Sequence, residues 1–191
     1  MSQPEELAIS ISAVQRILEA AQFAARHHAT QKRKGEAGEP YINHLIEVAE
    51  LIVSNSDLLD VNLVMAAFLH DVVEDTAVTP QELEQRFGHD VLSLVMEVTD
   101  DKSLPKEMRK AKQIENAHQQ SPRAQILKLA DKISNLRALL SSPPANWSVQ
   151  RKLEYFEWAR AVVSRLTDPN PALKAEFDRT YARIGELEAV K

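Results

Sequence analysis

Several residue types are scarce or absent in this chain, and each absence excludes a class of protein. The 191 residues include no cysteine, which excludes disulfides, thiolate zinc sites and cysteine nucleophiles and is compatible with a reducing compartment. Only 4 glycines and 5% aromatic residues argue against a turn-rich β-sandwich. The formal charge is −5, so the chain lacks the basic excess of a nucleic-acid binder. A nucleic-acid polymer is therefore not an expected partner.

Long apolar segments are also missing. No apolar run reaches the roughly 18 residues that a membrane span needs. The chain does not begin with a basic segment followed by an apolar stretch, so no signal peptide is expected. We therefore expect a cytoplasmic protein without a membrane partner. The sequence carries no signal that specifies an oligomeric state.

What is present favours helix almost throughout. Apolar residues make up 44% of the chain and charged residues 27%, the balance of a globular domain. Ile11, Val14, Leu18, Ala21 and Ala25 recur at helical spacing, and similar patterns follow along the chain. Cap residues followed by proline or by apolar spacing mark several helix starts. We predict an all-α fold, a single compact helical bundle of about nine or ten helices over residues 1–191. The helices are expected near 10–29, 41–53, 61–73, 80–87, 89–98, 105–119, 122–140, 148–166 and, after a break at 168–171, to about 188.

One local feature combines an apolar helix with a cluster of ionisable groups. The run Ala66 to Leu69 is followed directly by His70 and Asp71, with Glu74 one turn further on. Buried ionisable groups cost several kcal/mol unless a partner compensates them, and a divalent cation bound by imidazole and carboxylate is one such partner. Ordinary contacts at a helix end are the alternative.

Two further residues interrupt apolar helices in the same way. His44 lies between Ile42 and Leu45 in the second predicted helix, and Asp131 interrupts the apolar run that begins at Ile126. Taken singly, His44 fits a core or capping histidine better than a metal ligand. Taken singly, Asp131 fits an ion pair to Lys128 or Lys132, or a solvated face, better than a metal ligand.

Together these residues resemble a known family. A histidine, a His-Asp doublet and a distant aspartate on a helical domain resemble the HD metal-dependent phosphohydrolases, and the surrounding motifs are similar to the hydrolase domain of the Rel/SpoT alarmone enzymes. Two motifs are similar to the short, hydrolase-only branch with the metazoan SpoT homologues. The Rel/SpoT motifs are QKRK at 31–34, GEPYINH at 38–44, HDVVEDT at 70–76, FG at 87–88 and LADK at 129–132; those of the short branch are VTDDKSLPK at 98–106 and EYFEWA at 154–159.

The resemblance implies a role for each matching residue. It implies that one divalent cation, usually Mn²⁺, is held and that an acidic pair handles the attacking water. It also implies that basic and polar residues hold the nucleotide. The implied metal ligands are His44, His70, Asp71 and Asp131; the acidic pair is Glu74 and Asp75; the nucleotide contacts are Arg33, Lys34, Asn135 and Tyr155.

The chain departs from the family pattern at three places. Leu45 stands where many members have proline, and Ser134 stands where the family often has histidine or tyrosine. The loop between Lys34 and Glu39 is longer than in the long Rel enzymes. None of these departures touches a predicted metal ligand, so they bear on the fit of the nucleotide.

The expected function is hydrolysis of guanosine tetra- or pentaphosphate (ppGpp or pppGpp) to GDP or GTP and pyrophosphate. In this reaction water attacks the phosphorus next to the ribose 3′ oxygen. Two alternatives remain at this point. One is an HD-type phosphatase that acts on NADPH or another nucleotide. The other is a nucleotide-binding regulator without turnover, against which the pair Glu74 and Asp75 argues.

Overall fold

The computed structural model describes residues 10–167 and 170–189. Within these residues the chain forms α-helices and short 3₁₀ turns, and its only extended pairing is one isolated bridge between Lys32 and Pro40. The all-α prediction is confirmed. The helices are α1 (Ile11–His27), α2 (Ile42–Ser54), α3 (Val61–Leu69), α4 (Val72–Asp75), α5 (Pro80–Phe87), α6 (His89–Val98), α7 (Lys106–Asn116), α8 (Pro122–Ser141), α9 (Val149–Val163), α10 (Pro171–Ala182) and α11 (Glu186–Ala189).

Side-chain caps start several of these helices. The hydroxyls of Thr79, Ser121 and Ser148 each accept a hydrogen bond from a backbone N–H three residues on, at 3.2, 3.3 and 3.2 Å. Such bonds satisfy N–H groups that the first helical turn leaves without partners. The helix starts predicted near residues 80, 122 and 148 are therefore confirmed. Asp168 and Pro169, part of the predicted break before α10, lie outside the described residues.

The third helix differs from its prediction. The apolar pattern predicts a continuous helix over 61–73, but α3 ends at Leu69 and a one-turn helix, α4, begins at Val72. At Asp71 the backbone has φ −100° and ψ −3°, outside regular helical geometry. Adjacent residues on a continuous helix diverge by about 100°, so this break allows the side chains of His70 and Asp71 to face the same point.

The buried α3 lies at the centre of the bundle. Every residue from Leu63 to Leu69 is buried, and the helix packs against α1, α2, α6 and α8. The long helix α8 packs against α2, α6 and α10 as well. This arrangement brings the start of α2, the α3–α4 junction and the middle of α8 together. Among the described residues, no helix is long and apolar enough to cross a membrane.

Candidate active site

The loop between α1 and α2 folds back beside the start of α2. The backbone N–H of Tyr41 donates to the carbonyl of Gln31 at 3.0 Å, which closes the loop. Gly38 has φ 57°, a left-handed conformation that glycine adopts without strain. Gly35 lies against the end of α8, where an added Cβ would be 2.2 Å from the carbonyl oxygen of Ser142. The loop is therefore held against both α2 and α8.

Two histidines present the same ring nitrogen to one point. His44, in the first turn of α2, has its Nδ1 2.8 Å from Ser134 Oγ, and the Ser134 hydroxyl donates to Glu47 at 2.6 Å. Since that hydroxyl proton is used, His44 Nδ1–H is the donor to Ser134. His70 Nδ1 lies 2.8 Å from the carbonyl oxygen of Ala67, which can only accept. Both Nε2 atoms therefore face away from these partners, and each can bind a cation when its ring is neutral.

Two carboxylates lie beside these nitrogens. Asp71 Oδ2 is 3.2 Å from His70 Nε2 and 3.7 Å from His44 Nε2. Asp131 Oδ1 is 3.3 Å from His44 Nε2 and 3.9 Å from His70 Nε2. Ligand atoms of His44, His70 and Asp131 all lie within 4.8 Å of one another, so the three form a candidate metal site. His70 Nε2 is buried, and although Asp71 Oδ2 lies 3.2 Å away, no acceptor among the described residues meets it in good hydrogen-bonding geometry, which fits a nitrogen that serves as a metal ligand.

These four groups shift one another's pKa values. Burial lowers the pKa of His44, which favours its neutral form. Burial also acts to lower the pKa of His70, but the carboxylates of Asp71 and Asp131 outweigh it and raise that pKa to about 9. Burial acts to raise the pKa of both carboxyls, but His70 beside Asp71 and Lys132 beside Asp131 lower them below the usual range. The carboxylates are ionised, and a cation would displace a proton from His70.

Glu74 and Asp75 lie on α4, directly after the metal-site residues. Glu74 Oε2 accepts from the backbone N–H of Asp100 at 3.0 Å, and burial raises the pKa of the Glu74 carboxyl. Asp75 Oδ2 accepts from Gln31 Nε2 at 2.8 Å, and Asp75 Oδ1 contacts the Lys102 ammonium. Glu74 lines the same cleft as His70 and Asp131, and Asp75 lines an adjoining pocket. The acidic pair is thus placed at the edge of the candidate metal site.

Arg33 and Lys34 take different positions although they are adjacent. Arg33 Nη1 donates to Ser134 Oγ at 3.2 Å, and Arg33 Nη2 donates to Asn135 Oδ1 at 3.1 Å. Asn135 Nδ2 in turn donates to Asp131 Oδ1 at 2.6 Å. Lys34 lines the cleft instead. Arg33 therefore contacts the residues that hold the metal site, whereas Lys34 is available to a molecule in the cleft.

The cleft beside the metal site has a volume of about 300 Å³. Trp147, Tyr155 and Trp158 form an aromatic wall, with the ring of Tyr155 5.9 Å from that of Trp147 and 5.1 Å from that of Trp158. Burial raises the pKa of Tyr155 to about 12, so its hydroxyl stays neutral. Basic residues outnumber acidic ones in the lining, although the whole chain is acidic. The basic lining residues are Lys34, Lys106, Arg109, Lys110, Lys128, Lys132 and Arg151.

Sequence reasoning missed several of these residues. Lys132 Nζ lies 3.0 Å from Asp131 Oδ2, so the ion pair considered as an alternative for Asp131 exists beside the candidate metal site. Ser134 stands out in the sequence only as a departure from the family pattern, yet it orients His44. Trp147 and Arg151 lie in a loop and in the first turn of α9, where no spacing pattern marks them. The packing of Trp147 against Tyr155 and of Arg151 over Trp147 was not predictable from local sequence.

The chain is similar to the HD-domain family and to hydrolases named MESH1. The HD-domain family matches residues 20–155. The human guanosine-3′,5′-bis(diphosphate) 3′-pyrophosphohydrolase MESH1 is 48% identical over 169 residues, which are 88% of this chain and 94% of the human protein. The Drosophila melanogaster MESH1 is 44% identical over 172 residues, 90% of this chain and 96% of that protein.

A solved structure supports the same assignment. It belongs to a metazoan orthologue of SpoT that hydrolyses ppGpp and plays a role in starvation responses. The two folds superpose with a TM-score of 0.85 at 41% sequence identity, covering 97% of this chain and 99% of the other. The chain therefore belongs to the HD-domain family, as a hydrolase of the branch that contains the MESH1 proteins.

Proposed function

We propose that this protein hydrolyses ppGpp and pppGpp to GDP or GTP and pyrophosphate by removing the 3′-diphosphate. The observation that carries the proposal is the convergence of His44, His70 and Asp131 beside a cleft whose other walls are basic and aromatic. A nucleotide with several phosphates matches such a lining in charge and in shape. The relatives named for this activity align over nearly the whole chain.

The proposed metal ligands are His44, His70, Asp71 and Asp131. The donor set fits a divalent cation because both His Nε2 atoms face the carboxylates of Asp71 and Asp131 and both carboxylates have lowered pKa values. Mn²⁺ is the proposed ion. When bound, such a cation polarises a phosphoryl oxygen and lowers the pKa of a coordinated water.

Glu74 is the proposed general base, with Asp75 as its helper. Burial raises the pKa of Glu74, which makes it a better proton acceptor than an exposed carboxylate. Glu74 orients the attacking water and accepts its proton. Asp75 is held by Gln31 and Lys102, so its carboxylate keeps a fixed orientation beside Glu74.

The remaining lining residues hold the substrate. Lys34 offsets phosphate charge, and Tyr155 with its neighbouring tryptophans packs against the nucleoside. Asn135 lines the cleft and also donates a hydrogen bond to Asp131, so it can contact the substrate and a proposed metal ligand together. Arg33 acts on the nucleotide through Asn135, because its guanidinium is already bound to Ser134 and Asn135.

The test is a pyrophosphate-release assay with ppGpp in the presence of Mn²⁺. We expect release of pyrophosphate that stops when a chelator is added. The Glu74→Gln variant should lower kcat by roughly 100-fold or more with little change in KM, since it removes the base and keeps the shape. Glu84→Gln on α5 is the matched control, because Glu84 is exposed and its ion pair with His89 lies at the surface.

The same assay separates the alternatives. Release of orthophosphate from NADPH or a nucleoside monophosphate, without pyrophosphate from ppGpp, would replace the alarmone assignment with a phosphatase. Tight binding of ppGpp with no turnover in any of these assays would identify a regulator. Unchanged hydrolysis in both Glu74→Gln and Asp71→Ala would show that the reaction occurs elsewhere on the protein.

A further inference from the structure

Two buried lysines lie one turn apart on α8, and their surroundings differ. Lys128 is 5% exposed and Lys132 is 3% exposed. The Lys132 ammonium lies 3.0 Å from Asp131 Oδ2 and 4.4 Å from the centre of the Trp158 ring. Its charge is therefore compensated inside the protein.

Lys128 lacks such compensation. Its Nζ donates to the backbone carbonyl of Val98 at 3.0 Å, and no carboxylate of the described residues lies within 4.0 Å of it. Burial lowers the pKa of Lys128 to about 8, Lys132 adds to that effect, and the more distant carboxylates of Asp131, Asp100 and Asp71 only partly oppose it. An ammonium group has three N–H donors, so two of them have no acceptor within the described part of the chain.

The position of Lys128 indicates where the missing partner comes from. Lys128 lines the cleft that contains the candidate metal site. It lies three positions before Asp131 on α8, and residues at this spacing share a helix face. An anion in the cleft close to Asp131 and its cation is therefore within the reach of the Lys128 side chain.

We propose that the Lys128 ammonium binds a phosphoryl oxygen of the substrate's 3′-diphosphate, so that the substrate supplies a countercharge that no carboxylate of the described residues provides within 4.0 Å. This inference rests on the proposed function and adds a substrate-binding residue to it. A buried ammonium group with free N–H donors binds a phosphoryl group more strongly when that group excludes water from the cleft. Lys132, already paired with Asp131, serves to hold that carboxylate instead.

The test compares Lys128→Met with wild type in three measurements. We expect kcat/KM for ppGpp to fall roughly 100-fold, as for loss of one preorganised donor to a phosphoryl group. The calorimetric affinity for inorganic pyrophosphate should fall about 10-fold, while the affinity for Mn²⁺ alone stays within about twofold of wild type. Lys112→Met is the matched control, since Lys112 is an exposed lysine on α7, and it should leave all three values unchanged.

Thermal unfolding distinguishes a substrate contact from a structural lysine. Lys128→Met should unfold at the same temperature as wild type or a higher one, and Lys128→Gln, which keeps a donor for Val98, provides a second folded variant. The proposal is overturned if kcat/KM and pyrophosphate affinity both remain within threefold of wild type, or if both variants lose stability together with activity. Pyrophosphate binding does not require turnover, so it tests Lys128 even if wild type fails to hydrolyse ppGpp.

Discussion

At the scale of single residues, the candidate metal site depends on side chains that are not ligands. Ser134 accepts from His44 and from Arg33 and donates to Glu47, which uses all the hydrogen-bonding capacity of its hydroxyl. That pattern keeps the proton of His44 on Nδ1 and leaves Nε2 available. Groups that orient metal ligands in this way typically change metal affinity when they are removed.

We predict that Ser134→Ala weakens Mn²⁺ binding by about 10- to 100-fold, because His44 loses the partner that fixes its ring. Isothermal titration of Mn²⁺ measures this directly, and activity at saturating Mn²⁺ should be largely recovered. Ser54→Ala is the control, since Ser54 is exposed and its hydroxyl donates to Glu50 at the end of α2. Equal Mn²⁺ affinity in Ser134→Ala and wild type would show that Ser134 does not orient the ligand.

Lys128→Met is predicted to stabilise the free protein at pH 7. On folding, the pKa of the wild-type Lys128 ammonium falls from an ordinary 10.5 to about 8, so the unfolded chain holds the proton more tightly than the folded one. At about 1.4 kcal/mol per pH unit, the buried charge costs about 3 kcal/mol below pH 8. Loss of the hydrogen bond to the Val98 carbonyl offsets about 1 kcal/mol of this gain. The free energy of unfolding, measured in urea, should therefore be about 2 kcal/mol higher in the variant.

The pH dependence of stability tests independently whether the buried Lys128 charge destabilises the protein. The cost of the charged lysine disappears as pH rises from about 8 to 10.5, so this residue makes wild-type stability increase over that range. The Lys128→Met variant should lack that increase. Lys132→Met should instead lose about 3 kcal/mol, because Asp131 would keep a buried charge without its partner. Similar losses in both variants would contradict the different roles assigned to the two lysines.

At the scale of elements, the loop between α1 and α2 connects the substrate cleft to the metal site. It carries Arg33 and Lys34, and it is held against α8 through the close approach of Gly35 to Ser142. The Ser142 hydroxyl also accepts from the backbone N–H of Ala37 at 2.9 Å. A loop held at this many points positions its basic residues before the substrate binds, which reduces the entropy lost on binding.

Gly35→Ala is predicted to displace this loop. An added Cβ would lie 2.2 Å from the Ser142 carbonyl oxygen, a backbone atom that cannot rotate away. We expect kcat/KM to fall roughly 10- to 100-fold, as for a displacement of about 1 Å in a substrate-positioning group, while Mn²⁺ affinity changes little. Gly185→Ala is the matched control, because a Cβ added there would meet no described atom within 4 Å. Full activity in Gly35→Ala would show that the loop does not need this contact.

At the scale of the whole molecule, the four proposed ligands come from three places in the chain. His44 belongs to α2, His70 and Asp71 to the α3–α4 junction, and Asp131 to α8. A cation at this point would join these elements in addition to their apolar packing and to the hydrogen bonds of Ser134. Because the ligands converge only in the folded state, metal binding adds to the free energy of unfolding.

Removal of the metal should therefore lower the Tm. At a Mn²⁺ concentration 100 times Kd, the expected stabilisation is about 2.7 kcal/mol, or roughly 5–10 °C for a chain of this size. Differential scanning calorimetry with and without a chelator measures the shift. Asp131→Asn should show no response to Mn²⁺. An equal Tm with and without metal in wild type would contradict the proposed ligand set.

A feature of the fold can be predicted from the sequence when it depends on residues that are close together in the chain. Caps and apolar spacing depend on neighbouring residues, so most helices were predicted to within a few residues. The apolar positions of α1 show the limit: Ile11 is 79% and Leu18 61% exposed, and the buried face is formed by Ala20, Phe23 and Ala24 instead. Spacing shows that a helix is present, but the face that becomes buried depends on the elements packed against it.

The site shows the same division. The chain alone determined the residue types and their order: a histidine, a His-Asp doublet and a distant aspartate, within motifs similar to those of the Rel/SpoT hydrolases. The tertiary structure was needed to show that the helix breaks at Asp71 and that Ser134 orients His44. It was also needed to show that Lys132 has a carboxylate partner and that Lys128 has none within 4.0 Å among the described residues. The contacts of Ser134 and Lys128 join residues about 30 to 90 positions apart, and such contacts depend on how the helices pack.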